Sequence, residues 1–318
     1  MSLPKLLEGR LSLPLIGSPM FIVSQPALVI AQCRAGIVGA FPSLNARPSG
    51  AFEQWLQQLT ETLTDGDAPF AVNLIVHRTN SRLEEDLALC VKYRVPIVIT
   101  SLGAREDVNA AIHSYGGTVL HDVINNVFAR KAIEKGADGL IAVAAGAGGH
   151  AGTLSPFALV EEIRAWFDGP LALSGAIATG RSIAAARMMG ADFAYMGSPF
   201  IATEEANAEA GYKQMIVDSG AGDIVYSDFF TGVHGNYLRP SISAAGLDAD
   251  NLPKARDMDF GSIAGGDKKA WRDVWGAGQG IGAIRKVQSA TSYIEQLKAE
   301  YQAAIAAFNS SEKRAIPS

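Results

Sequence analysis

One ionisable side chain stands alone in a run of small residues: His150, within Gly146-Ala147-Gly148-Gly149-His150-Ala151-Gly152. An imidazole has an unperturbed pKa near 6.5, so it can take or give a proton at neutral pH. The flanking glycines let backbone approach a ligand closely. The plainer alternative is a loop histidine bonded to nearby backbone. Two further runs, Ser174-Gly175-Ala176 and Met196-Gly197-Ser198, combine small residues with exposed backbone N–H groups, which suits a phosphate. Tight turns with no ligand are the plainer alternative there. The rest of the chain offers less. There is no H-x-x-x-H, H-E-x-x-H or Cys/His metal spacing, no G-x-S-x-G elbow and no persuasive pair of carboxylates. His77 and His113 read as surface residues. His121 ends an apolar run beside Asp122 and is a candidate to face the site. His234 reaches it only if its segment folds over as a lid.

The glycine run can be written G-x-G-x-x-A, but a dinucleotide-binding turn needs a helix to begin at once. Here Thr153-Leu154-Ser155-Pro156 intervenes, and Pro156 suits the first turn of a later helix. Asp168, about 20 residues on as that fingerprint would require, sits in an Asp-Gly-Pro turn before a strand, not at a strand's end.

The elements that must position these residues are short, non-alternating apolar runs, as buried parallel strands require. Eight occur, centred on residues 13–16, 36–39, 70–75, 96–100, 118–121, 140–144, 170–174 and 193–196. Helix-length segments separate them: 25–34, 51–64, 81–93 with a Ser81/Glu84 capping box, 105–113, 125–135 and one from Pro156. Strict βα alternation over about 215 residues predicts a (β/α)8 TIM barrel of the usual size; a doubly wound sheet is the runner-up. Gly136-Ala137-Asp138 and Gly190-Ala191-Asp192 precede the sixth and eighth strands and favour the ring. In a barrel all βα loops meet at the C-terminal face. The 146–152 loop would lie there after strand six, with phosphate-type loops after strands seven and eight.

Beyond a helix at 203–218 the pattern changes. Residues 219–275 are rich in Gly, Asp, Ser and Asn, with little periodicity. They read as a lid-like insertion or a mobile segment. The expected organisation is a barrel over 1–218, an insertion over 219–275, and a return over 276–318 with a closing helix at 289–309.

With 318 residues and 48% apolar content the chain can bury a sizeable core. A net charge of −5 gives no electrostatic reason to expect nucleic acid or anionic membrane as a partner. Two cysteines, Cys33 and Cys90, fall in expected helices and read as buried free thiols, which suits the cytoplasm. The N-terminus lacks a signal-peptide apolar region, and no apolar run reaches the ~18 residues of a membrane span. The sequence is compatible with a homo-oligomer and does not specify one.

Taken together, the motifs resemble the nitronate monooxygenase family, also called 2-nitropropane dioxygenases. The resemblance runs from Ser18-Pro19-Met20 to Gly278-Gln279-Gly280. Its most specific element is Ala147-Gly148-Gly149-His150-Ala151-Gly152. Ser174-Gly175-Ala176-Ile177-Ala178-Thr179-Gly180 is similar to the family's S-G-G-I-x-x-G loop. Gly190-Ala191-Asp192 with Met196-Gly197-Ser198-Pro199-Phe200 is similar to its G-A-D and M-G-T-x-F. The resemblance implies an FMN-dependent barrel enzyme. It implies Met20, Asn73, Gly148 and Gly149 beside the flavin, and Gly175, Ala176, Gly197 and Ser198 on its phosphate. It implies His150 as the active-site histidine. Relatives include nitronate oxidisers, NAD(P)H:quinone reductases and enoyl-thioester reductases. The expected activity is oxidation of alkyl nitronates, or nitroalkanes, with O2. Quinone reduction on the same flavin is the alternative, and a non-catalytic flavin- or phosphate-binding module is the reading from another class.

Three positions depart from the pattern. Val143-Ala144-Ala145-Gly146-Ala147 replaces a Gln-Gly-x-Glu-Ala that brings a glutamine to FMN. Asp122 stands where many relatives have Lys, and Ala176 replaces a glycine. If it points inward, a carboxylate at 122 would disfavour negative charge on a flavin. The departures imply a divergent subgroup and leave the substrate, the electron donor and the place of His234 open.

Overall fold

Short runs of Val, Ile, Leu and Ala, each stopped by glycine, serine or proline, form the strands of a computed structural model that describes residues 5–48, 50–253 and 274–315. The barrel strands are β1 (Leu15–Gly17), β2 (Gly39–Pro42), β3 (Phe70–Ile75), β4 (Ile97–Ser101), β5 (Thr118–Val123) and β6 (Gly139–Val143). A two-residue strand outside the barrel follows, β7 (Gly149–His150), then β8 (Leu171–Ser174) and β9 (Phe193–Met196) complete the ring. The eight barrel strands pair in parallel in the order β1-β9-β8-β6-β5-β4-β3-β2. A parallel bridge between Ile16 and Val38 joins the two edges and closes the ring. The (β/α)8 expectation holds. The second strand begins at Gly39, at the end of the predicted run, because Val38 serves the closing seam and the Ile37 amide donates to Gln32 O.

The helices are α1 (Pro26–Arg34), α2 (Ala51–Thr62), α3 (Leu83–Lys92), α4 (Glu106–His113), α5 (Asn126–Glu134), α6 (Pro156–Arg164) and α7 (Gly180–Met188). They continue as α8 (Ser198–Ile201), α9 (Ala210–Asp218), α10 (Arg239–Ala244) and α11 (Ala290–Ala315). Two expectations fail. The Ser81/Glu84 capping box does not form, because Asn80 organises that turn: its Oδ1 accepts from Arg82 N at 3.1 Å and its Nδ2 donates to Ile75 O at 2.8 Å. The helix expected at 203–218 begins only at Ala210, as α9, since Thr203 bridges to Gln288 and Glu204 N donates to Gln288 O.

The repeated Gly-Ala-Asp phrase has one structural job. Asp138 Oδ2 accepts the Val119 amide at 2.7 Å, and Asp192 Oδ2 accepts the Leu171 amide at 2.9 Å. Each carboxylate thus pins the start of a neighbouring strand. Arg164 adds an ion pair to Asp192 at 2.7 Å, both side chains largely buried.

Strand alternation divides the core. Ile16, Ala40, Ala71, Ile99, Leu120, Ile141, Ala172 and Phe193 fill the barrel interior, with Leu7 packed against them. Their sequence neighbours, such as Val72, Val98, Val119, Leu140, Leu173 and Ala194, face the helices. Outside the ring α11 lies against α7 so closely that a Cβ on Gly180 would sit 2.2 Å from Leu297 O and Tyr301 N. Both are helix backbone and cannot swing aside. Gly180→Ala is therefore expected to lower stability by about 2–3 kcal/mol; an unchanged urea midpoint would contradict this close approach.

The insertion is more ordered than its composition suggests. β10 (Ile224–Ser227) and β11 (Gly235–Leu238) form an antiparallel hairpin, and β11 pairs with β7. Residues 254–273 lie outside the described set.

Candidate active site

The C-terminal ends of β1, β6, β8 and β9 bring their loops together. A Cβ on Gly197 would sit 3.2 Å from Ser18 Cβ and 3.5 Å from Met20 Sδ. One on Gly148 would sit 2.8 Å from both Ser198 Oγ and Gly278 N. One on Gly146 would sit 3.3 Å from Ala176 Cβ. At Gly148 glycine is needed for the close approach of the Gly278 backbone. Ser174 closes β8, its carbonyl accepting from Ala144 N at 2.9 Å. Met20, Gly148, Ser174, Gly175, Ala176, Met196, Gly197 and Ser198 thus lie in one interlocked set of loops.

Several of these residues have less freedom than the sequence suggests. The Met20 amide donates to Ser24 Oγ at 2.9 Å and its carbonyl accepts from Asn45 Nδ2 at 3.0 Å. The resemblance implies contact through both backbone and side chain; with the backbone bonded, only the side chain is left for a ligand. The Ala176 amide donates to Gly146 O at 3.2 Å, and its φ of 52° puts a Cβ where glycine is favoured. Met196 turns its side chain outward, with Sδ 3.9 Å from Tyr293 Oη, so only its backbone borders the mouth. The Gly180 amide at the start of α7 already donates to Glu300 Oε2 at 2.8 Å.

Inside the barrel a polar chain runs across three strands. Asn73 Nδ2 donates to Ile99 O at 3.0 Å and to Ser101 Oγ at 2.7 Å; Ser101 Oγ donates to Asp122 Oδ2 at 2.7 Å. Asp122 therefore points inward. His121 points the other way, its Nδ1 2.6 Å from Thr100 Oγ1 in the helix-facing layer, so it does not face the site. Burial pushes the His121 imidazole down to about 4. Tyr195 on β9 faces inward. Burial, with the Asp122 charge, holds its phenol well above the usual range, while a bond to Ser18 opposes this.

His150 lies in β7, not in an irregular loop. It pairs with Gly235, and its Nε2 sits 2.9 Å from Thr231 Oγ1. Burial pushes the imidazole down to about 4, so it is neutral at pH 7. The insertion is stitched to this strand: Asn236 Nδ2 donates to Ala147 O at 2.6 Å and Tyr226 Oη to Ala151 O at 2.9 Å. His234 stays on the outside, stacked on Tyr226 at 5.0 Å, its side chain 55% exposed. His113 is exposed, as expected, and His77 is half-buried.

Sequence reasoning missed Ser18, Ser101, Tyr195 and Thr231. The first three follow from alternation once the inner face is known: Tyr195 is two residues from inward Phe193, and Ser101 two from Ile99. Thr231 is 81 residues from His150 and carries no local signal.

The residues present fit a flavin. Both amide hydrogens of Asn73 are used within the barrel, leaving Oδ1 as an unused acceptor for a ring N–H. Ser198 Oγ accepts from Gly278 N at 2.8 Å, which leaves its O–H to donate. Asp122 Oδ1 is buried without a hydrogen-bond partner among the described residues. No group of three His, Cys, Asp or Glu among those residues is placed to hold a metal. No described helix is long and apolar enough to cross a membrane.

Residues 6–300 match the family model for nitronate monooxygenase. A nitronate monooxygenase from Paraburkholderia phytofirmans is 26% identical over 281 residues, covering 74% of this chain and 76% of that one. Two solved structures share the fold. FabK from Thermotoga maritima has a TM-score of 0.78 at 23% identity, covering 96% of this chain and 97% of that one. A nitroalkane oxidase from Streptomyces ansochromogenes has 0.77 at 23%, covering 96% and 100%. The class is thus a (β/α)8-barrel, flavin-dependent oxidoreductase, and the non-catalytic reading falls away. The chain belongs to the nitronate monooxygenase family.

Proposed function

We propose that this protein binds FMN across the barrel mouth and oxidises alkyl nitronates with O2. The bound flavin supplies two-electron oxidation of the substrate and transfer of those electrons to O2. The phosphate end lies among Ser174, Gly175, Ala176, Met196, Gly197 and Ser198, with the Ser198 O–H as a donor. The ring lies among Met20, Asn73, Gly148 and Gly149. Small residues and the absence of a dinucleotide turn support FMN over a larger cofactor. The proposed organisation is a cofactor-carrying barrel over 1–218, an insertion over 219–275 and a return over 276–318; the described part of the insertion meets the site where β11 pairs with β7. Buried free thiols at Cys33 and Cys90 support a reducing, cytoplasmic setting.

The observation that carries the nitronate reading is His150. A neutral imidazole pushed down to about 4 is a weak base for removing a carbon-bound proton. A nitronate has already lost that proton and needs only a hydrogen-bond partner. The imidazole, held by Thr231, is suited to orient such an anion.

The test is to identify the flavin released on denaturation, then mix holoenzyme anaerobically with a nitronate, NADH or NADPH. Bleaching by nitronate, with oxygen uptake in air, is expected. Bleaching by NADH or NADPH with quinone turnover, and none by nitronate, would move the activity to quinone reduction. A colourless protein that cannot be loaded with FMN would overturn the proposal.

A further inference from the structure

The proposed chemistry leaves Asp122 without a part. Its side chain lies inside the barrel near the end of β5, by the alternation that puts Leu120 inside and His121 outside. Oδ2 has one partner, Ser101 Oγ at 2.7 Å, and Oδ1 is buried with none. Its surroundings are Ser101 on β4, Asn73 beyond it on β3 and Tyr195 on β9. Among the described residues no cation contributes to its environment; burial raises its pKa and the Ser101 bond opposes this. When ionised it is an unshared charge.

We propose that Asp122 sets how much negative charge the site tolerates. This rests on the flavin reading above. Ionised, the carboxylate disfavours negative charge on anything bound in the barrel mouth, including charge gained by a flavin on reduction. Protonated, it removes that penalty. The polar chain ties the change to the cofactor: Asn73, assigned to the flavin ring, donates to the same Ser101 that donates to Asp122. Burial pushes the Asp122 carboxyl up to about 6, inside the working range. The groups that share the site do not titrate there. His150 and His121 are pushed down to about 4, and Tyr195 is pushed up.

The sign follows. Asp122 is ionised above its pKa, so it opposes flavin reduction at pH 8 and ceases to do so at pH 5. A unit charge about 10 Å away at an effective dielectric of about 20 is worth roughly tenfold. For a two-electron couple that is about 30 mV. The midpoint potential of bound FMN in Asp122→Asn is expected to exceed wild type by that amount at pH 8 and to meet it at pH 5. Ser101→Ala removes the bond that favours the carboxylate. It should move the meeting point up by about one pH unit, which a merely structural role would not do. Infrared difference spectra of flavin-free protein, wild type against Asp122→Asn, should show a protonated-carboxyl band that fades near pH 6. Potentials that stay parallel from pH 5 to 8 with FMN bound would overturn the proposal while leaving the proposed function standing. If no flavin binds, the function fails instead; a carboxyl band already absent at pH 5 then overturns the Asp122 assignment on its own.

Discussion

Gly197→Asp is expected to strip the protein of FMN while leaving it folded. Gly197 follows β9 with φ −115°, a backbone conformation open to any L residue. The nearest atoms to a new Cβ are Ser18 Cβ at 3.2 Å and Met20 Cγ and Sδ at 3.5 Å, so small shifts of two side chains admit it. Gly197→Ala should therefore keep the fold and most of the cofactor. The aspartate adds a carboxylate where a phosphate is proposed to sit. Two unit charges 4 Å apart at an effective dielectric of about 20 repel by about 4 kcal/mol. That is several hundred-fold in affinity. The check is FMN titration of apoprotein, with thermal midpoint and far-UV dichroism as the control for folding. A folded Gly197→Asp that binds FMN as tightly as Gly197→Ala would remove the phosphate from this loop.

The barrel was legible because its strands are buried on both faces. Leu140-Ile141-Ala142-Val143 and Phe193-Ala194-Tyr195-Met196 are apolar on consecutive residues, and few other elements need that. The same property hid the inner face. In Thr118-Val119-Leu120-His121-Asp122-Val123 no polar alternation shows that His121 faces helices and Asp122 faces the lumen; only pairing with Thr100 and Ser101 decides it. The insertion was illegible for a different reason. β10 and β11 are four residues each, and the buried one, Gly235-Asn236-Tyr237-Leu238, carries a glycine and an asparagine. Its register comes from contacts with β7, which lies about 85 residues earlier in the chain. That the glycine loops gather at one end of the barrel was legible. Their internal bonds were not, which is why Met20 keeps only its side chain for a ligand.

His150→Asn is expected to retain FMN and lose roughly 10–100-fold in kcat/KM for a nitronate. The range is that of a hydrogen bond to a charged group, about 1.5–3 kcal/mol. It is not the loss of a general base, because burial pushes His150 down to about 4 and leaves little basicity at pH 7. Wild type should therefore use a neutral nitroalkane poorly, and the substitution should change that slow rate little. Thr231 is the positioning residue. Its one hydroxyl proton has two acceptors in reach, His150 Nε2 at 2.9 Å and Val233 O at 3.0 Å. Donation to Nε2 places the ring proton on Nδ1. Thr231→Val removes that choice, so KM for nitronate should rise with FMN affinity unchanged. The pH profile separates the roles. A histidine titrating near 6.5 would give a rate break there that vanishes in His150→Asn. The break expected near pH 6 belongs to Asp122, so it should persist in His150→Asn and disappear in Asp122→Asn. A break near 6–7 that is lost only with His150 would make His150 the base and reopen nitroalkanes as substrates.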